Sequence, residues 1–144
     1  MFEPSQHDVR RFFCQTWHKM RAAQPLDPMQ SLAASWIREH PEYDSALANE
    51  EAALAAHYPV EQGQSNPFLH LSMHLSIAEQ VAIDQPTGIR DAVLALTQQR
   101  DSLHEAHHAV MECLGVMIWE SQRSGLPPDG LAYVEAVRRL STSR

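Results

Sequence analysis

Four times along this chain a side-chain acceptor stands just ahead of an apolar run with helical spacing. Ser5 precedes Asp8 by three residues, Asp27 is followed by Pro28 and Gln30, Asn66 by Pro67, and Ser102 by Glu105. The first N–H groups of a helix have no intrahelical partner, so a Ser, Asp or Asn oxygen placed there accepts from them, and a proline at the first position has no N–H to lose. Val9, Phe12, Phe13, Thr16, Trp17 and Met20 then form one face of the first segment, with His18 on the opposite, wet face. Leu32, Trp36 and Ile37 do the same in the second, which Pro41 ends because the residue before a proline avoids the α region. Hardly any stretch alternates strictly between apolar and polar residues. The expected fold is all-α, a single-domain helical bundle of about five to seven helices over residues 1–144.

The rest of the chain follows the same grammar. "HPEYDSALANEEAALAAHY" predicts one or two short helical pieces, and "PVEQGQS" a polar, glycine-containing connection. The helix opened by Asn66 and Pro67 is expected to reach about Asp84, where "DQPTG" breaks it. "IRDAVLALTQQR" gives a shorter helix with Ile89, Val93 and Leu96 aligned, and a Ser102–Glu105 capping box opens the longest helix, which Gly125 closes. "PPDGLAYVEAVRRL" ends the chain, with Arg138 and Arg139 where the helix dipole favours cations. Trp17, Trp36 and Trp119 fit core positions.

Histidines placed on these helices turn composition into chemistry. At about 100° per residue, His70, His74, Ile77 and Val81 share a stripe only about 60° wide, so two imidazoles point where the aliphatic side chains point. His104, His108, Met111 and Gly115 form an equally narrow stripe on the later helix, with Glu112 at one flank and His107 at the other. Burying that many imidazoles costs roughly 1–3 kcal/mol for each unsatisfied polar edge, so such a cluster must share hydrogen bonds, water or a metal. If the two helices pack together, His70, His74, His104 and His108 supply four nitrogen ligands and Glu112 a carboxylate, a donor set suited to zinc or iron.

Two named motifs compete for the same residues. "HEAHH" satisfies H-E-x-x-H, in which His104 and His108 would bind zinc and Glu105 polarise the attacking water, although Glu105 already has work in the capping box. A ferritin-like di-iron centre needs Glu from two helices and Glu-x-x-His from two more, and only Glu105 to His108 fits. Haem attachment has no C-x-x-C-H. No glycine-rich phosphate loop or nucleophile motif is present, and Glu79 lies about 180° from His70, toward solvent.

Composition removes other classes. A formal net charge of −7 opposes nucleic acid and anionic membrane surfaces, which need clustered Lys and Arg. Arg10, Arg11, Lys19 and Arg21 are read as a solvated face. No segment reaches the roughly 18 apolar residues of a membrane span, and "MFEPSQHDVRRFF" offers no secretory h-region, so a cytoplasmic protein is expected. Cys14 and Cys113, far apart in sequence, read as two buried thiols.

The blocks "RRFFCQTWHKMRAAQPL", "NPFLHLSMHLSIAEQ", "IDQPTGI" and "MECLGVMIWESQR" resemble, in that order, a bacterial family of uncharacterised small proteins catalogued as domain of unknown function 1841, over essentially the whole chain. The resemblance implies a bacterial source and no established activity. It also implies an acidic residue where this chain has Val116, one turn after Glu112, so a carboxylate is missing for a dinuclear site.

Three functions stay open. The first is a small helical metal-binding protein with His70, His74, His104, His108 and Glu112 around zinc or iron. The second is a metal-dependent hydrolase using His104-Glu105-x-x-His108. The third is a helical adaptor in which the histidines form a buried hydrogen-bond network without metal. Whether the protein is an enzyme, its substrate, and any protein partner or homo-oligomer are left open by the sequence.

Overall fold

The computed structural model describes residues 5–58 and 66–142, which contain eight α-helices and no strand. These are α1 (Gln6–Arg21), α2 (Pro28–Arg38), α3 (Asp44–Ala48), α4 (Glu50–Ala55), α5 (Pro67–Ile83), α6 (Ile89–Arg100), α7 (Leu103–Ser124) and α8 (Gly130–Thr142), with a 3-10 turn at Pro41–Tyr43. The class is as expected and the number exceeds the expected five to seven. The surplus comes from the segment after Pro41, where Asn49 ends α3 and its side chain accepts from the Ala52 N–H to start α4. "PVEQGQS" lies outside the described residues. Two compact units divide the chain, Met1–Leu75 and Ser76–Arg144, the division falling inside α5. No helix of the described residues is long and apolar enough to cross a membrane.

In the first unit α1 packs against α2, α3 and α4. The Ser5–Asp8 and Asp27–Gln30 capping boxes both form. The buried side of α1 is rotated from the expected stripe: Phe13 and Thr16 are buried, but so are Arg10 and Cys14, while Val9, Phe12, Trp17 and Met20 are half-buried. Arg10 explains the rotation. Its Nη1 donates to the carbonyls of Ala53 and Ala56, both at 2.8 Å, at the end of α4 where carbonyls lack intrahelical partners. Its guanidinium also lies 5.4 Å from the ring centres of Tyr58 and Phe68. Burial of this cation is thus matched by acceptors and ring faces. Trp17 donates from Nε1 to Asp44 at the start of α3 (3.1 Å), which keeps it at the core margin.

In the second unit α6, α7 and α8 pack mutually around Ile89, Val93, Leu96, Val110, Leu114 and Val137. Between α5 and α6 the Asp84 carboxylate accepts from the N–H groups of Gly88 (3.2 Å) and Arg90 (3.0 Å), while the Arg90 guanidinium donates to Val81 and Ala82 carbonyls, both at 2.9 Å, at the end of α5. Tyr133 on α8 donates to Gln80 Oε1 (2.6 Å), and burial holds its phenol above the usual tyrosine range. Trp119 is not a core residue: it is 58% exposed. The buried positions of α7 step through His107, Val110, Met111 and Leu114, and position 119 is five residues beyond the last of them, out of register. Its ring instead lies 5.1 Å from the Arg123 guanidinium.

Candidate metal centre

Within Met1–Leu75 three imidazoles meet. The i, i+4 spacing on α5 puts His70 and His74 on one face; His74 is fully buried and His70 half-buried. Trp36, from the inner face of α2, stacks on His74 with ring centres 4.1 Å apart and planes within 8°. The third ring is His40, buried just past the end of α2, where its N–H donates to the Ile37 carbonyl and Pro41 ends the helix. Tyr43 stacks on it at 5.0 Å and 12°.

His74 Nε2 stands 3.1 Å from His40 Nε2 and 3.2 Å from His70 Nε2. On its other side the His40 ring meets Glu42, with Nδ1 and Oε2 2.8 Å apart. A carboxylate there holds the proton on Nδ1 and turns Nε2 into a lone pair, the arrangement that orients metal-binding histidines. The same bond holds the Glu42 carboxyl below the usual carboxylate range. A neutral ring nitrogen carries one hydrogen or one lone pair in its plane, so the single Nε2 of His74 cannot make two well-aligned bonds. Nitrogens bound at about 2.0–2.1 Å to one zinc ion stand roughly 3.3 Å apart in a tetrahedron, and roughly 3.0 Å apart at right angles. The observed spacings fall between those values.

Within Ser76–Arg144, His104 and His108 have ring centres 4.4 Å apart on α7. His104 is half-buried, His108 and Glu112 are exposed, and Glu112 borders a groove between α7 and α8. His107, expected at the flank, is the buried histidine of this helix. Burial first, then its neighbours His104 and His108, push its imidazole down from 6.5 to about 3, so it is neutral at physiological pH. Of the expected capping box the structure keeps one arm, the Glu105 N–H donating to Ser102 Oγ (3.1 Å), and the Glu105 side chain is exposed. Glu79 is exposed, as its position on α5 predicts.

Of the residues expected from sequence, His70 and His74 lie in the imidazole cluster of the first unit, while His104, His108 and Glu112 lie on α7 in the second. His40 was missed. It follows Trp36 by four residues and Ile37 by three, in register with the buried face of α2, and that is the signal that finds it. Pro41 masks it by ending the helix.

Residues 5–139 match the family described as "Domain of unknown function (DUF1841)". No curated protein and no solved structure matches the chain.

Proposed function

The chain belongs to that DUF1841 family, so its role has to be argued from its own side chains, and we propose that it holds one transition-metal ion, zinc or iron, on His40, His70 and His74. The observation that carries this reading is the approach of one buried nitrogen, His74 Nε2, to two others at 3.1 and 3.2 Å. Imidazole ligands suit zinc and iron, and Glu42 behind His40 supplies the outer carboxylate that raises ligand basicity. His104, His108 and Glu112, one turn apart on α7, are the further donors that the sequence offers.

An ion on neutral imidazoles keeps its two positive charges, and a coordination position left to water would lower that water's pKa to about 7. This is the route by which an ion on His104-Glu105-x-x-His108 would make a hydrolase, with Glu105 as the base. The other reading, an adaptor with a buried imidazole network, takes the same short contacts as hydrogen bonds between alternating tautomers.

Elemental analysis of protein purified without a histidine tag separates these readings. The metal site requires near-stoichiometric zinc or iron that His74→Ala loses. A metal-free chain that also fails to take up added zinc or iron leaves the hydrogen-bonded network in its place. Metal-dependent hydrolysis of a denatured protein substrate, lost in Glu105→Gln with metal still bound, establishes the hydrolase.

A further inference from the structure

A groove of about 500 Å³ runs between α7 and α8. Val116 and Met117 on α7 and Ala132, Ala136 and Leu140 on α8 make it apolar. The lining includes one i, i+4 ridge on each helix: 112, 116 and 120 on α7, and 132, 136 and 140 on α8. Two i, i+4 ridges side by side leave a channel shaped for the ridge of a third helix. From residue 112 to 120 the channel wall rises about 12 Å, and from 129 to 140 about 16 Å, which is roughly two to three turns of an occupant. A small ligand would need neither the length nor the paired ridges.

Charge selects among helices. Glu112, Glu120 and Asp129 border the groove against Arg139, with Glu120 also paired to Arg123 at 2.6 Å, so carboxylates still outnumber cations by one, and the whole chain carries a formal −7. A second copy of the chain would bring its negative charge against these carboxylates, whereas a cationic helix would be drawn to them. Beside the groove Val116 and Trp119 are 60% and 58% exposed, an apolar surface of the kind that marks a binding site in a soluble protein.

We propose that the α7–α8 groove docks an amphipathic helix of a partner protein, its apolar face on Val116, Met117 and Ala136 and its flanking Lys or Arg residues against Glu112, Glu120 and Asp129. This docking uses none of the histidines. Cys113 lies within the groove, half-exposed, while Cys14 is buried, so one thiol reports occupancy.

The probe is a synthetic helical peptide of about 16 residues, leucine on one face and lysine on the other, with a control in which glutamate replaces lysine. The lysine peptide is expected to bind the full-length chain, to slow alkylation of Cys113 about tenfold at saturation, and to lose affinity as salt is raised. Val116→Lys and Glu120→Lys, both at exposed positions, should each weaken it about tenfold with the circular dichroism spectrum unchanged. Equal binding of the glutamate peptide overturns the proposal, as does equal protection of Cys113 by octylamine, which has the charge without the helix. Sedimentation showing that the chain alone dimerises, with Cys113 protected in the dimer, also overturns it.

Discussion

His40 and Glu42 carry the sharpest consequence at the level of single residues. Glu42 is exposed, so its loss should leave the fold intact, and its carboxylate meets the Nδ1 edge of His40. Glu42→Gln keeps a side chain that can accept from Nδ1 but removes the charge, and metal affinity should fall by roughly 10–100-fold, read by competition with a chromophoric chelator. An unchanged affinity would mean that His40 is not a ligand. The two cysteines give a pH-dependent counterpart. Burial, then the charge of Glu50, pushes the Cys14 thiol from 9.0 up to about 11, so the folded protein keeps a proton that the unfolded chain gives up. A raised folded pKa contributes stability that is fully present below about pH 9 and lost as pH rises toward 11. Urea midpoints should therefore fall over that range, and less steeply in Cys14→Ala; equal slopes would refute the assignment.

Among the helices, boundaries were the most legible feature of the sequence, because each rests on local chemistry. Ser5, Asp27, Asn66 and Ser102 all cap where expected, and Gly125 closes α7 with φ at 75°. What the sequence could not supply was the rotation of each helix about its axis, which packing decides. Arg10 turned into the core of its unit because the end of α4 needed a donor, and Trp119 fell outside the α7 register. The candidate site divides the same way: the i, i+4 pairs could be read, whereas His40, although in register with Trp36 and Ile37, stands past the helix end that Pro41 marks. Two glycines test helix placement directly. A Cβ on Gly115, in the middle of α7, would meet nothing within 4 Å, whereas one on Gly130, at the start of α8, would stand 2.9 Å from ring carbons of Pro86. Gly115→Ala should stabilise by about 1 kcal/mol through helix propensity, and Gly130→Ala should destabilise by a similar amount because a proline ring cannot swing aside. Chemical denaturation of the two variants, compared with the parent, checks the opposite signs.

For the whole molecule, a bound ion is a stability term that can be added or withdrawn. Binding to the folded state contributes RT ln(1 + [L]/Kd), about 2.7 kcal/mol at a hundredfold excess over Kd, and for a chain of this size each kcal/mol moves Tm by roughly 2–4 °C. Chelation of metal-loaded protein should therefore lower Tm by about 5–10 °C, a response that His74→Ala should abolish. Where protection is lost says which residues hold the ion. An ion held by His40, His70 and His74 orders α2 and α5, so chelation should speed amide exchange in α2 and in the first half of α5, and His108→Ala should melt as the parent does. A Glu112→Gln variant adds the last discrimination: weaker metal binding makes Glu112 a ligand or its outer partner, and unchanged binding leaves it to the α7–α8 groove. A chelator that changes neither Tm nor exchange anywhere would remove the metal reading at useful affinity and leave the imidazoles as a hydrogen-bonded network.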